Sequence, residues 1–232
     1  MFDFIRKTEL WAALDSGYLD DIQGRHPFHL KTIQDLMVYD RIKDRTDCVI
    51  AEIGGGESRI LPIMAKRNTC YNIEKFEGVD GGPTGDIEIQ NVEIKRVFVG
   101  EFSPELADDS IDVLFSVSVI EHIPDDMVAD FFLDCERILK PGGLMVHAID
   151  MYLENEPSLY WCDRFDKYYQ AVTNSKVLTP LGNINSGPPK FSCDFATNPD
   201  HIMHSWRKIA PSLDELRQVA QSSSLLMVFE KN

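Results

Sequence analysis

Residues 51–61 read AEIGGGESRIL, and this stretch decides the fold. The apolar run CVIAEI (48–53) enters three consecutive glycines, Gly54, Gly55 and Gly56, and the helical pattern SRILPIMAKR (58–67) follows. A strand that runs into glycines and then into a helix lets a ligand lie directly on the backbone, because only residues without a Cβ leave that room. Ser58 is placed to cap the helix, and Pro62 is compatible with it only in the first turn. Glu52 stands before the turn and Glu57 directly after it. A phosphate would be repelled by such a pair, so the turn suits a ligand of another charge.

Outward from the turn, short apolar runs alternate with helical patterns, the signature of an α/β fold with a mostly parallel sheet flanked by helices. TCYNI (69–73) reads as a second strand, EIKRVFV (93–99) as a third, IDVLFSV (111–117) as a fourth, LMVHAI (144–149) as a fifth and LLMVF (225–229) as a sixth. Between the fourth and fifth, Met127, Val128, Phe131, Phe132, Cys135, Ile138 and Leu139 recur at helical spacing, and Pro141-Gly142-Gly143 is expected to stop that helix. Ser212 and Glu215 form a capping box for LDELRQVAQ (213–221). The N-terminal 40 residues read as two helices, about 2–14 and 30–42.

Two stretches break the rhythm. FEGVDGGPTGDIEIQN (76–91) carries four glycines and a proline where a crossover helix would be expected, so a loop is the better reading. Residues 151–211 hold Tyr152, Tyr160, Trp161, Phe165, Tyr168, Tyr169 and Trp206 but no clean strand period. Long segments of that kind often serve as lids or binding segments. The expected organisation is one domain over 1–232. It has an N-terminal helical cap (1–45), a cofactor-binding core (48–150), a substrate-cap insertion (151–211), and a last helix and strand (212–232).

The chain has 38 acidic residues against 23 Lys and Arg, a formal net charge of -15. A field of that sign repels phosphate backbones and anionic lipid, so neither nucleic acid nor a membrane is an expected partner. No apolar stretch approaches the roughly 20 residues of a membrane span, and the N-terminal residues lack a signal peptide's apolar core. The five cysteines are widely spaced and contain no C-x-x-C pair, which fits reduced thiols in a cytoplasmic protein. His201 and His204 form an H-x-x-H pair with no third ligand nearby, so no metal site is expected.

Glu74 ends the second strand 18 residues after Gly56, near the spacing at which an acid accepts bonds from a ribose diol. The dinucleotide pattern G-x-G-x-x-G fails, because Arg59 stands at the third glycine. A ligand with a ribose, an adenine and no phosphate satisfies both observations. S-adenosylmethionine is such a ligand, and its sulfonium and ammonium tolerate Glu52 and Glu57.

The sequence resembles the class I S-adenosylmethionine-dependent methyltransferases of the broad small-molecule type, with a Rossmann-like fold. EIGGG (52–56) is similar to that family's E/D-x-G-x-G signature, although Ser58 replaces its third glycine. NIEK (72–75), VGEF (99–102), DDSIDVLFSVSVIEHIPD (108–125) and RILKPGGLMV (137–146) resemble its later blocks, in unbroken order. The resemblance implies a cofactor site of Glu52, Gly54, Gly55, Gly56, Glu74, Glu101, Phe102, Ser116 and Val117. In it Glu74 would take the ribose hydroxyls, Glu101 the adenine amino group and the Phe102 backbone the ring edge. The family normally carries an antiparallel seventh strand, for which little room remains before Asn232. A longer parent polypeptide, a homo-oligomer or a differently completed sheet are all compatible with that.

Methyl transfer is an in-line displacement in which alignment of the acceptor does most of the work, and a hydroxyl acceptor also needs a base. Asp150 and His122 are the candidates for that role. His147 fits better as a core histidine, and Glu121-His122 carries a structural reading beside the catalytic one. The expected activity is O-methylation of a small molecule, with a sugar or another intermediate of glycan or secondary-metabolite assembly as acceptor. A non-catalytic module of the same fold and a nicotinamide-dependent oxidoreductase are the alternatives.

Overall fold

Alternation along the central strands sorts the core into two layers. In the computed structural model, which describes residues 1–6, 13, 30–78, 82–85, 87–154, 159–187 and 220–232, Ile50, Val113, Val146 and Leu226 point to one face of the sheet. Ala51, Leu114, Met145 and Met227 point to the other. The first face is covered by α1 (Leu30–Ile42) and the short α2 (Leu61–Met64). The second is covered by α3 (Val128–Ile138) and α4 (Leu159–Thr173). Burial on both faces explains why the inner strands read as near-continuous apolar runs.

The sheet has eight strands: β1 (Phe2–Phe4), β2 (Val49–Ile53), β3 (Thr69–Ile73), β4 (Val92–Lys95), β5 (Ile111–Val117), β6 (Leu139–Glu154), β7 (Leu178–Pro180) and β8 (Ala220–Lys231). Their spatial order is β1-β8-β6-β5-β2-β3-β4, with β7 also on β8. β4, β3, β2, β5 and β6 pair in parallel. β8 runs antiparallel to β6, from Leu144 opposite Glu230 to Glu154 opposite Ala220.

β3 and β5 fall on the expected residues, and so does α1. Several other expectations change. The strand at 225–229 is itself the antiparallel member, so the sheet is completed without a further strand after it. It begins at Ala220, which takes Ala220 and Gln221 out of the expected helix; the rest of that helix, with its capping box, lies outside the described residues. Residues 2–4, expected as helix, form β1, which pairs Phe2 with Met227 and Phe4 with Leu225. The reason is the open edge of β8, whose backbone groups need partners. Phe2 and Phe4 alternate onto one face and pack on Phe165, with ring centroids 5.1 and 6.1 Å away. Residues 183 and 185 cover β1 in turn, with bonds of 2.7 Å from Phe2 N to Asn183 O and from Asn185 N to Phe2 O.

β4 ends at Lys95, earlier than expected, and Val97 and Val99 leave the sheet while staying buried. Pro141-Gly142-Gly143 does not stop α3. The helix ends at Ile138, and the three residues lie inside β6 as an irregularity between the pairs Ile111–Leu139 and Val113–Leu144. The stretch from 151 is not without regular structure, since β6 continues to Glu154 and α4 and β7 follow.

Candidate active site

The parallel strands deliver the glycine turn, Glu74 and the segment after β5 to one end of the sheet, where ligands of open α/β folds bind. Gly54 has φ +64° and its N–H donates to Ile73 O at 2.9 Å, tying the turn to β3. A Cβ on Gly54 would sit 2.6 Å from Cγ2 of Val119. The side chain of Asn72 closes the turn from below, its amide donating to Gly56 O at 2.9 Å.

Beneath the turn, Glu52 is buried and accepts a hydrogen bond from the Ser58 hydroxyl. Burial pushes its carboxyl up to about 8, against the Ser58 bond that lowers it. Ser58 Oγ also accepts from Leu61 N at 3.0 Å, but the helix is shorter than the expected 58–67 and starts at Leu61 with Ile60, not Ser58, as its N-cap. Arg59, where a dinucleotide turn would have glycine, forms a two-pronged ion pair with buried Asp35 of α1. Glu57 is exposed.

Above the turn lies a cavity of about 400 Å³. Ile53, Gly54, Ile73 and Glu74 form its floor, and Glu77, Gly78, Gly82 and Pro83 of the glycine-rich loop form one side. Its described residues have the loop character expected: Glu77 bridges Thr84, and Gly78 N donates to Pro83 O at 3.1 Å. Val97, Phe98 and Val99 form a second side, and Ser118, Val119, His122, Ile123, Pro124, Met127 and Phe131 the third. Glu74 is fixed there by Phe76 N, which donates to its Oε1 at 3.1 Å. No lysine or arginine is among the described residues that line the cavity.

A polar cluster adjoins the third side. Ser118 Oγ lies 3.0 Å from Asp150 Oδ1 and 2.7 Å from Gln34 Oε1. Gln34 Nε2 donates to Asp150 at 2.6 Å, and Lys31 Nζ stands 3.4 Å from the same carboxylate. The Glu121 side chain is only 9% exposed, and among the described residues neither of its oxygens has a hydrogen-bond partner of normal geometry. Burial, then the nearby charge of Asp150, push its carboxyl up to about 8. His147 is fully buried behind this cluster, 2.8 Å from Ser116 Oγ and against the rings of Phe131 and Phe132. Burial pushes its imidazole down to about 3, which keeps it neutral, as suits a core histidine.

Of the residues expected at the site, Gly54, Glu74 and His122 line the cavity, and Glu52, Gly55 and Gly56 build the turn under it. Asp150 is one hydrogen bond away, through Ser118. Glu101 lies outside the lining, paired with Lys75 at 3.3 Å, and Phe102 N donates to Asp134 at 3.2 Å. Ser116 and Val117 also lie outside it, while Ser118 and Val119 take the wall. Sequence reasoning missed Val97, Phe98 and Val99 because it counted them as strand. His201, His204 and Trp206 lie outside the described residues. Among the described residues no three His, Cys, Asp or Glu side chains are placed to share a metal ion, and no helix is long and apolar enough to cross a membrane.

Residues 51–147 match a family model described as a methyltransferase domain. No curated protein matches the chain. Among solved structures, a geranyl diphosphate C-methyltransferase from Streptomyces coelicolor A3(2), in complex with S-adenosyl-L-homocysteine, superposes with a TM-score of 0.56 at 13% identity, over 86% of this chain and 77% of that one. Phosphoethanolamine N-methyltransferase 2 from Haemonchus contortus, in complex with S-adenosyl-L-methionine, gives 0.55 at 12%, over 85% and 52%. A putative sarcosine dimethylglycine methyltransferase from Galdieria sulphuraria gives 0.56 at 14%, over 93% and 97%. Residues 51–147 thus match a methyltransferase domain, and the described sheet shares its fold with these methyltransferases.

Proposed function

We propose that the protein transfers the methyl group of S-adenosylmethionine to an oxygen of a small acceptor, a sugar or another intermediate of glycan or secondary-metabolite assembly. The observation that carries the reading is the cavity lining, which among the described residues holds the carboxylates Glu74 and Glu77 and no lysine or arginine. A pyrophosphate would meet no cation there, whereas a cationic nucleoside meets two acids. The volume lies within the roughly 300–1,000 Å³ of small-ligand sites, and Gly54 presents no side chain to the cavity. Neighbours of this fold act, by their names, on carbon and on nitrogen, so the acceptor atom is a matter of side chains, not of fold.

When bound, S-adenosylmethionine supplies an electrophilic methyl group with sulfur as the leaving atom. Glu74, with one oxygen engaged by Phe76 N, keeps the other for a ribose hydroxyl. Asp150 is oriented by Gln34, Ser118 and Lys31 while its side chain stays 25% exposed. It can therefore take the proton of an acceptor hydroxyl as the new O–C bond forms, and pass it to solvent. Ser118, shared by the cavity wall and Asp150, aligns the two.

Calorimetric titration with S-adenosylmethionine and its demethylated product tests the cofactor, with NAD as control. Both sulfur ligands are expected to bind, NAD to be silent, and Glu74→Ala to weaken binding by about tenfold or more, the loss of a charge-assisted hydrogen bond. NAD binding with silence from the other two would reverse the reading. For the chemistry, Asp150→Asn should slow labelled methyl transfer to a hydroxyl acceptor by about 100-fold or more without changing product affinity. Wild-type rates in that variant would remove Asp150 from the mechanism.

A further inference from the structure

The cavity wall that carries His122 is held by a residue beyond the matched domain. Between β5 and α3 the wall segment makes few backbone bonds of its own: His122 N to Val119 O at 3.0 Å, Ile123 N to Ile120 O at 3.1 Å and Met127 N to Pro124 O at 2.9 Å. Arg164 of α4 takes the carbonyls of Glu121 and Ile123 and shares that of Ile120. Its Nη2 donates to Ile120 O at 2.9 Å and Glu121 O at 3.3 Å, and its Nη1 to Ile123 O at 2.8 Å and to the Asp125 carboxylate. Nε and Nη2 also donate to Tyr168 Oη at 3.1 and 2.6 Å, and that hydroxyl reaches Ile120 O at 3.3 Å.

Arg164 is 1% exposed, so its charge is held by these acceptors and not by bulk water. Only the planar fork of an arginine can address three carbonyls of one turn together with a carboxylate; an ammonium on the same stem cannot. Among the described residues, most of the hydrogen bonds that hold the backbone around His122 from α4 therefore come from one guanidinium, with Tyr168 and Lys167 beside it. Of the α4 side chains that are described, those of 162–173, none lines the cavity.

We propose that Arg164 is a positioning residue through which α4 sets the cofactor-cavity wall, so that cofactor binding and the docking of α4 are thermodynamically coupled. The proposal rests on the reading of the cavity as the S-adenosylmethionine site. A wall held in one arrangement by a packed, hydrogen-bonded group carries a change at the cavity to the helix behind it, and linkage makes the effect reciprocal.

Hydrogen exchange on the full chain tests this, with S-adenosylhomocysteine as the probe. In the wild type the probe should slow exchange at the wall, 118–127, and also at least threefold at the α4 amides 162–173. Arg164→Lys should weaken binding at least tenfold and abolish the remote protection of α4, and methylguanidinium added to Arg164→Ala should restore part of both. Tyr168→Phe, which removes one acceptor of Arg164 and the hydroxyl's bond to Ile120 O but leaves Arg164's own carbonyl bonds, should shift both readouts the same way by a smaller factor. It carries the test if the Arg164 variants do not fold. Wild-type binding with unchanged exchange in α4, or wild-type affinity in Arg164→Lys, overturns the proposal. Absence of binding to the wild type is seen before any variant is made, and overturns the cofactor reading together with the proposal.

Discussion

The half of the sheet that holds the cavity and the half that closes it off are specified in different ways. On the cavity side, β2, the glycine turn, α2 and β3 follow one another within 25 residues, 49–73, and each contact is nearly local. On the far side, β8 is assembled with residues 2–4, 144–154 and 178–180, contributed from opposite ends of the chain. The first half fixes backbone positions that a ligand needs to within fractions of an ångström. The second buries apolar side chains and satisfies an edge. Changes in the cavity half should therefore show in binding, and changes in the far half in stability.

The largest effect on binding is expected from Gly54→Ala. The added Cβ would meet Val119 at 2.6 Å, on a backbone with φ +64°. Overpacking costs about 1–3 kcal/mol and the left-handed conformation about 1–2 more. Since Val119 is itself cavity wall, product affinity should fall about 30-fold or more. Val119→Ala in the same chain should return part of it. Gly142 in β6 also has a positive φ, +76°, but no atom within 4 Å of a Cβ. Gly142→Ala should lose about 1–2 kcal/mol of stability and leave affinity alone. Equal loss of affinity in both glycine variants would collapse the distinction between the halves.

Phe229→Ala probes the far half. The ring is 1% exposed in β8, opposite Met145 at the end of the sheet away from the cavity. Removing it should cost about 3–5 kcal/mol in denaturant unfolding, while the folded protein binds product within about threefold of wild type. A strong loss of affinity at unchanged stability would show that the two halves are not separable.

The same division governs what could be read from the sequence. The glycine turn, β3, β5 and α1 were legible because periodicity and turn chemistry are local. Val97, Phe98 and Val99 were not. They continue the apolar run of a strand, but beyond Lys95 the chain has left β3 and covers the cavity instead. Alignment of the later block at Glu101 and Phe102 then falls beyond the wall, as alignment at Ser116 and Val117 falls short of Ser118 and Val119. β1 was illegible for a different reason. Three residues, Phe-Asp-Phe, fit a helix or a strand, and their partner lies more than 220 positions away. Arg164 gave no signal, and Glu121 stood out only in its pair with His122, since nothing in a sequence marks which charged residue will be buried.

The two buried carboxyls offer the finest comparison, one under the glycine turn and one beside Asp150. Burial pushes both Glu52 and Glu121 from 4.5 up to about 8. Glu121 faces Asp150 of β6, Lys31 of α1 and, at 3.9 Å, His122. Each carboxyl is protonated in the folded state and ionised in the unfolded state over that window. The stability it contributes is therefore complete below pH 4.5 and is lost as pH rises through about 8. His147 acts in the opposite sense, because burial lowers it from 6.5 to about 3. Its contribution is complete above pH 6.5 and is lost as pH falls, so the two slopes oppose each other below 6.5. Between pH 6.5 and 8 the N-terminal amine of Met1, which burial lowers from 8.0 to about 5, opposes them, so each carboxyl lowers the unfolding free energy by about 1.4 kcal/mol per pH unit while the amine raises it by about as much. Glu121→Gln should remove one share of that slope and Glu52→Gln the other, measured by urea unfolding at closely spaced pH. An unchanged slope in Glu121→Gln would mean that Glu121 is already ionised in the folded protein. Two carboxylate charges would then stand side by side at the mouth of the Asp150 cluster, a site suited to a cationic acceptor instead of a hydroxyl.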